Sequence, residues 1–429
     1  MRKLHWEDES GLYRFSTDVV RTLQSHGYTA YFAGGCVRDA LMGNMPSDYD
    51  VATNATLDQV QSLFGPKQTK IIGAAFGVAC VTGKVDKQRF EVEVATFRSD
   101  GSYSDGRRPD WVRFTGPEED AQRRDFSING IFFDPVAEVL HDFVGGEEDL
   151  KRGVIRAIGN PEKRIDEDKL RMLRAVRFAA RFGFQIDPET STAIRTHANE
   201  IAIVSGERIS AEFRKFVETK HLVYGLEQTF HVGLLQFLIP EVHVAWADRF
   251  KMDRAFKVIS ALGSHIGFTS LLASLFWTAD CKGEEAAIAI GNCRDRWKLS
   301  NLEHDEILFA IRAFDTLIHA DSLPWSVTQP LLISPHVKVA YDLAMAVAIA
   351  DELSLDGLSK CRKASEWEPE KLNPAPLLTG NDLQKLGLSP GPAFAQILKT
   401  LRAKQLDREI ETTEDAKQWI RTSALSIID

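Results

Sequence analysis

The sequence predicts an α+β protein, with a mixed β-sheet and helices in the first 150 residues and only helices in the rest. In the first part, short runs typical of strands, such as 29–33, 77–82 and 89–95, alternate with Gly, Asp and Pro residues that favour turns. From about residue 160 the apolar residues follow helical spacing, and amphipathic stretches then repeat along the chain. A length of 429 residues is too great for one compact core and suggests about two to four domains.

The charge distribution indicates where a polyanion can bind, although the chain is acidic overall with a formal net charge of -9. Residues 151–181 contain ten basic residues against four acidic ones. Such a local excess of positive charge can hold phosphates. The basic residues are Lys151, Arg152, Arg156, Lys163, Arg164, Lys169, Arg171, Arg174, Arg177 and Arg181.

Cysteine usage and hydropathy argue against a secreted or membrane protein. The five cysteines are odd in number and widely spaced, which fits neither a disulfide framework nor a cysteine-based zinc site and favours free thiols in a reducing compartment. The N-terminal residues lack an apolar signal core, and no stretch approaches the roughly 18 uncharged apolar residues that cross a bilayer. We therefore expect a cytoplasmic protein without a membrane partner.

A pair of aspartates is the first candidate for catalysis. Asp48 and Asp50 flank Tyr49 directly before Val51, where a short strand is predicted to begin. In a strand, residues i and i+2 share a face, so the two carboxylates would point the same way. Two carboxylates so placed can bind a pair of divalent cations for phosphoryl transfer, and Mg²⁺ suits oxygen ligands and phosphates.

A glycine pair stands a dozen residues before the aspartates. Gly34 and Gly35 follow an apolar run and precede Arg38, an order that predicts a strand, a tight turn and the start of a helix. Glycines let backbone N–H groups approach a triphosphate, and a helix N-terminus favours an anion. Arg38 can add a charge-assisted contact to a phosphate oxygen.

A third carboxylate is expected from a neighbouring strand. Strand alternation puts Glu91 and Glu93 on the same face of the run 89–95, so both qualify. We favour Glu93 because it lies closer to the polar segment 96–98. The alternative is that both are solvent-facing acids without a catalytic role.

The segment 167–178 has the pattern of a base-reading helix. Asp168, Arg171, Arg174 and Arg177 recur every three residues, which predicts one charged helix face. An acceptor and a donor can discriminate cytosine and adenine, each with an amino group beside a ring nitrogen, from uracil and guanine. Asp168 would accept from the amino group and Arg171 would donate to the ring nitrogen. The alternative is a solvated face in which Asp168 pairs with Arg171.

Several motifs together resemble those of class II CCA-adding tRNA nucleotidyltransferases, close relatives of bacterial poly(A) polymerases. The similarity spans roughly residues 28 to 216. Its elements are GGCVRD at 34–39, PSDYDVAT at 46–53, VEVATFR at 92–98, DGRRP at 105–109, RRDFSING at 123–130, EDKLRMLRAVRF at 167–178 and GERISAEFRKF at 206–216. The segment 98–113 resembles the mobile loop that such enzymes need when the pocket switches from C to A.

The resemblance implies a nucleotidyltransferase catalytic head at 1–150, a helical neck at 151–225 that reads the base, and an all-helical body and tail at 226–429 that bind tRNA. The implied catalytic residues are Asp48, Asp50 and Glu93, with the metal on Asp48 and Asp50. The implied nucleotide contacts are Gly35, Arg38, Arg124, Asp168, Arg171, Arg174 and Arg177.

The implied activity is template-independent addition of C, C and A to the 3′ end of tRNA from CTP and ATP, with release of pyrophosphate, for tRNA maturation and repair. Mg²⁺ is the expected cofactor, and no obligatory protein partner is expected. The alternatives are a poly(A) polymerase and an enzyme that adds only A. The near-neutral C-terminal 29 residues speak against the first, because poly(A) polymerases tend to carry a basic extension there.

Overall fold

The computed structural model describes residues 2–3, 6, 8, 10–101, 110–263 and 266–423. These fall into two compact units, residues 1–238 and 239–429. Within the described ranges, no single helix is long and apolar enough to cross a membrane, and one bent pair of helices, Trp325–Leu332 and Val337–Ala350, passes that test only when counted together.

The first unit combines a mixed sheet with helices, as the sequence predicts. Its strands are β1 Arg2–Lys3, β2 Ala30–Ala33, β3 Val51–Thr53, β4 Thr69–Gly73, β5 Val78–Val85, β6 Gln88–Thr96, β7 Arg98–Asp100, β8 Val112–Phe114, β9 Ile131–Asp134, β10 Val139–Asp142, β11 Val154–Ile155 and β12 Gln185–Ile186. Its helices are α1 Gly11–Ser25, α2 Gly35–Leu41, α3 Leu57–Phe64, α4 Pro117–Gln122, α5 Gly146–Arg152, α6 Pro161–Glu167, α7 Leu170–Phe182, α8 Pro188–His197, α9 Gly206–Val217, α10 Leu222–His231 and α11 Leu235–Leu238. Short 3₁₀ turns occupy Ala74–Phe76, Ser127–Asn129 and Ala198–Ile203.

The main sheet has eight strands in the order β1-β10-β9-β2-β3-β6-β5-β4. All neighbouring strands are antiparallel except β3 and β6, which are parallel with Val51 beside Val94. Alternation along these strands buries one set of side chains in an apolar core that includes Phe32, Val51, Val94 and Phe133. The opposite set in β6 includes Glu93, which is exposed between the buried residues Val92 and Val94.

The second unit is entirely helical in its described part. Its helices are α12 Pro240–Trp246, α13 Arg249–Ala261, α14 Phe268–Thr278, α15 Gly283–Trp297, α16 Asn301–Ile318, α17 Trp325–Leu332, α18 Val337–Ala350, α19 Asp356–Ser365, α20 Pro369–Leu372, α21 Gly380–Lys385, α22 Pro392–Leu406 and α23 Thr413–Ser423. The α+β fold class is therefore confirmed. The division into three parts at residues 150 and 225 stays a prediction.

Two details differ from the sequence-based expectation. Gln185–Ile186, inside the segment predicted to be helical, pairs in parallel with Val154–Ile155. A two-residue strand is too short to produce a period-2 pattern, so its sequence gives no signal. Asp168 is not part of the charged helix face, because α7 begins at Leu170 and Asp168 has an extended backbone. Its carboxylate accepts the N–H of Leu170 at 3.1 Å, whereas the N-cap residue of α7 is Lys169, which forms no side-chain cap.

Candidate active site

The glycine turn between β2 and α2 has the geometry that its sequence predicts. Gly34 has φ +71°, a conformation that side chains disfavour, and a Cβ there would lie 2.8 Å from Nη1 of Arg124. Gly35 is the first residue of α2 and has no such constraint, since its Cβ would meet only Nη2 of Arg38 at 3.6 Å. The fold thus requires glycine at position 34. At position 35 the fold would also accept a residue with a Cβ, and glycine leaves space there instead.

The three candidate carboxylates lie together at the edge of the β3–β6 pair. Asp48 and Asp50 stand just before β3 rather than in it, but they are exposed while Tyr49 between them is buried, so the two carboxylates share a side as predicted. The carbonyl of Asp50 accepts the N–H of Ala33 at 2.9 Å. Because β3 and β6 are parallel with Val51 beside Val94, the preceding residues Asp50 and Glu93 are neighbours.

Desolvation and charge repulsion both act on Asp50. Although the residue as a whole is exposed, its carboxyl group is desolvated, and this effect, together with the charges of Asp48 and Glu93, raises the pKa of Asp50 to about 6. The Arg124 charge opposes this rise only in part. Within the described residues, neither Asp48 nor Asp50 forms an ion pair. Oxygen donors that repel each other and form no ion pair of their own among the described residues fit a divalent metal ion. Glu91, the other candidate, instead lies beside Arg89 at 3.7 Å and near Cys80.

A buried network connects the glycine turn with α7. Arg38 donates from Nη1 to Oδ1 of Asn129 and from Nε to Asp39 at 2.8 Å. The amide of Asn129 donates to Asp125 at 2.9 Å, and Asp125 in turn accepts Nε of Arg174 at 2.9 Å. Burial alone would raise the pKa of Asp125, but the Arg174 charge and these hydrogen bonds outweigh it and hold the pKa well below its usual range.

Arg124 is fixed by a second buried carboxylate. Asp120 accepts Nη2 of Arg124 at 3.0 Å and also pairs with Arg123 at 2.7 Å. Burial works against the ionised form of Asp120, yet the two guanidinium groups lower its pKa. The Arg124 guanidinium lies over the Phe132 ring at 5.0 Å from the centroid. This arrangement holds Arg124 against the glycine turn.

A cavity of about 260 Å³ collects five of the predicted residues, namely Gly35, Arg38, Asp50, Arg124 and Arg174. Gly34, Asp125, Asn129 and Phe178 complete its lining. Arg38 is almost fully buried, whereas the Arg174 side chain keeps 32% of its surface exposed. The cavity therefore combines the carboxylate of Asp50, a candidate metal ligand, with several cationic groups. This arrangement suits a nucleoside triphosphate.

Asp168, Arg171 and Arg177 do not line this cavity. Nη2 of Arg208 donates to Asp168 at 2.7 Å, and Arg171 donates to Glu167 at 2.6 Å, so the alternative pairing of Asp168 with Arg171 is absent. Arg177 is buried and paired with Glu212. Sequence reasoning missed these partners and also Asp120, Asp125, Asn129 and Phe178. Most of them lie within motifs quoted above: RRDFSING contains Asp125 and Asn129, EDKLRMLRAVRF contains Glu167 and Phe178, and GERISAEFRKF contains Arg208 and Glu212.

A second group of potential metal ligands lies elsewhere in the first unit. Atoms of Asp166, His197 and Glu200 come within 4.8 Å of one another. Nζ of Lys169, however, donates to Asp166 at 2.7 Å and pairs with Glu200. A lysine ammonium already supplies the positive charge in this group, so we do not place the catalytic metal there. The predicted loop motif at 105–109 lies outside the described residues.

Comparison with known proteins fits this geometry. The family described as Poly A polymerase head domain matches residues 30–156, and that described as the probable RNA and SrmB-binding site of polymerase A matches residues 183–245. A CCA-adding enzyme from a Geobacillus species is 31% identical over 409 residues, which cover 94% of this chain and 95% of the relative. The chain belongs to the CCA-adding enzyme family. It is therefore a nucleotidyltransferase, and its family points to a divalent metal as cofactor.

Other CCA-adding enzymes and a poly(A) polymerase complete the comparison. The crystal structure of the Bacillus stearothermophilus CCA-adding enzyme in complex with CTP superposes with a TM-score of 0.74 at 26% identity and covers 97% of this chain and 98% of that one. Poly(A) polymerase I of Salmonella typhi is 41% identical over 235 residues, but this match covers only 52% of this chain and 49% of the relative. The match with the CCA-adding enzyme of the Geobacillus species covers nearly the full chain, whereas the match with this poly(A) polymerase covers about half of it.

Proposed function

We propose that this protein adds C, C and A to the 3′ end of tRNA from CTP and ATP, without a nucleic-acid template, for tRNA maturation and repair. The observation that carries the proposal is the cavity beside Asp50, where a glycine turn and several guanidinium groups converge next to a carboxylate cluster. The extent of the match with CCA-adding enzymes supports this reaction over poly(A) synthesis.

In the proposed reaction the 3′ hydroxyl oxygen of the tRNA attacks the α-phosphorus of CTP twice and of ATP once. Each step forms one O–P bond and breaks the bond to the β-phosphate, and pyrophosphate leaves. Asp48 and Asp50 would hold Mg²⁺ with Glu93 as the third carboxylate. When bound, Mg²⁺ supplies electrostatic stabilisation for the charge that develops on the reacting oxygens.

The chain's own residues would position the nucleotide. Nε and Nη2 of Arg174 are held by Asp125, while the group remains partly exposed, so Arg174 can donate to the nucleotide without losing its anchor. The backbone N–H groups at Gly35 would approach the phosphates at the start of α2. Arg38 and Arg124 would add positive charge to the same wall of the cavity.

Asp168 and Arg171 would select the base. Asp168 would accept the amino group of cytosine or adenine, and Arg171 would donate to the ring nitrogen beside it. A wrong base would present a donor to Arg171 and an acceptor to Asp168, so the hydrogen bonds that the right base makes would be lost, which disfavours uracil and guanine. In the structure Arg208 pairs with Asp168, and Glu167 pairs with Arg171. These partners would fix the directions of Asp168 and Arg171 before a nucleotide binds.

We also propose that the protein works in the cytoplasm without an obligatory protein partner. All five cysteines are free, and four of them are buried, as expected for a reducing compartment. The tRNA would bind to the helical second unit by shape and phosphate contacts.

The test is incubation of the purified protein and Mg²⁺ with tRNA transcripts that end before CCA, after C or after CC. Labelled CTP or ATP is supplied, and products are resolved at single-nucleotide resolution, with Asp50→Asn as the inactive control. We expect additions in the order C, C, A that then stop. Addition of A only to the transcript that ends in CC would show an A-adding enzyme, and long A ladders would show a poly(A) polymerase.

A further inference from the structure

Tyr49 stands between the two candidate metal ligands and points away from them. Asp48 and Asp50 are exposed, whereas Tyr49 is 2% exposed, so the three residues alternate between the two sides of the chain. The Tyr49 ring lies 4.9 Å from that of Phe32 and 5.6 Å from that of Tyr13, measured between centroids. The packed ring therefore anchors the backbone between the two carboxylates to the core.

The Tyr49 hydroxyl has one buried partner, the carboxylate of Asp8, to which it donates a hydrogen bond. Asp8 is 5% exposed, and its other oxygen accepts the N–H of Ser10 at 2.7 Å. Ser10 caps α1, because its side chain accepts the N–H of Tyr13. The hydrogen bond from Tyr49 thus reaches a carboxylate that the start of α1 holds in place.

This contact is specific, since packing alone needs no hydroxyl at position 49. A buried carboxylate is costly unless it is hydrogen-bonded, and the Tyr49 hydroxyl satisfies the Asp8 oxygen that the Ser10 N–H does not reach. Trp6 closes the cluster, with its ring 6.0 Å from Tyr49 and 4.7 Å from Phe133. Apolar packing restricts the ring of Tyr49, and the hydrogen bond fixes how far it enters the core.

We propose that Asp8 and Tyr49 are positioning residues that set the direction of the Asp48 and Asp50 carboxylates for the metal ion. This inference rests on the proposed function, because it takes the two aspartates as metal ligands. Neither residue lines the cavity beside Asp50. Removal of groups that orient metal ligands typically costs about 10- to 100-fold in metal affinity or activity.

The experiment compares Tyr49→Phe and Asp8→Asn with wild type. Mn²⁺ binding to the full chain without nucleotide is measured by electron paramagnetic resonance, and kcat and the half-saturating Mg²⁺ concentration are measured for C addition. Tyr13→Phe is the matched control, because it removes a hydroxyl from the same aromatic cluster. Asp50→Asn is the reference for loss of a ligand, and thermal unfolding reports on the fold.

We expect Tyr49→Phe to weaken Mn²⁺ binding and to raise the half-saturating Mg²⁺ concentration by about 10-fold. Asp8→Asn keeps an oxygen that can accept from Tyr49, so its effect should be smaller, and Tyr13→Phe should leave both quantities unchanged. A lower Tm of Tyr49→Phe with wild-type Mn²⁺ affinity and Mg²⁺ dependence would overturn the inference and leave Tyr49 as a core residue. If Asp50→Asn itself binds Mn²⁺ like wild type, the metal assignment of the proposed function fails instead.

Discussion

Replacement of Gly35 by alanine separates the needs of the fold from those of the ligand. The Cβ of alanine would make only an ordinary contact, 3.6 Å from Nη2 of Arg38, and residue 35 begins a helix. A Gly→Ala change at a compatible backbone position stabilises a protein by about 0.4–1 kcal/mol, because the unfolded chain loses freedom. We therefore expect the Tm of Gly35→Ala to equal or exceed that of wild type.

The same methyl group should be harmful to catalysis. Gly35 lines the cavity beside Asp50, and phosphates that approach its backbone N–H groups would meet the new side chain. A displacement of about 1 Å at a reacting group can cost up to about 100-fold in rate. We expect kcat/KM for CTP and for ATP to fall by roughly 10- to 100-fold.

Gly34→Ala is the contrasting variant. Its φ of +71° and the approach of the Cβ to 2.8 Å from Arg124 strain the folded state itself, at a cost of about 1–3 kcal/mol. Thermal unfolding and steady-state kinetics on transcripts that end before CCA are measured for both variants. A wild-type kcat/KM in Gly35→Ala would refute the assignment of Gly35 to the nucleotide, and a loss of Tm as large as that of Gly34→Ala would refute the claim that the fold tolerates alanine at position 35.

Two further predictions concern carboxylates. Glu93→Gln should lower kcat at least about 10-fold with little effect on Tm, because Glu93 lies beside Asp50. Glu91→Gln should leave kcat unchanged, because Glu91 does not lie beside Asp50. Equal losses of kcat in the two variants would contradict the choice of Glu93. Asp125→Asn should lower the free energy of unfolding by about 3 kcal/mol at pH 7, since it breaks a buried ion pair with Arg174. The pKa of Asp125 is lowered in the folded state, so this stabilisation is present above the unfolded pKa of about 4 and is lost as the pH falls through the folded value. Chemical denaturation at pH 7 and pH 3 should therefore show a smaller difference between variant and wild type at the lower pH, and a constant difference would be inconsistent with the ion pair.

Local sequence patterns predicted the elements that carry the site. The strand, glycine turn and helix at 30–41 form as expected, and the alternation of Asp48 and Asp50 around a buried Tyr49 holds. These features depend on neighbours within a few residues, so the sequence contains the necessary signal. The α+β class and the membership of the CCA-adding enzyme family, both predicted from local patterns and short motifs, are also confirmed.

Long-range partners could not be predicted in this way. Arg174 and Asp125 are 49 residues apart, and Arg208 and Asp168 are 40 apart, so no local spacing links them. The helical period suggested a continuous charged face from Asp168 onward, but the backbone of Asp168 is extended and α7 begins only at Leu170. The residue at the N-cap is Lys169, which is not a preferred N-cap residue, so the sequence contains no clear signal for this boundary.

The basic segment 151–181 shows why a charge count overstates phosphate binding. At least eight of its ten basic residues have an acidic partner among the described residues. The pairs are Lys151–Glu147, Arg156–Asp149, Arg164–Glu167, Lys169–Asp166, Arg171–Glu167, Arg174–Asp125, Arg177–Glu212 and Arg181–Asp39. These acids come largely from outside the segment and cancel most of its local excess.

The remaining attraction for a nucleotide must therefore come from groups that are paired yet still accessible. Arg174 meets this condition, because Asp125 holds one side of its guanidinium while 32% of the side chain stays exposed. A guanidinium that is already ordered loses little conformational freedom when a phosphate arrives. Internal pairing thus lowers the net charge of the site but prepares Arg174 for binding, which is how an acidic protein can hold a triphosphate next to three carboxylates.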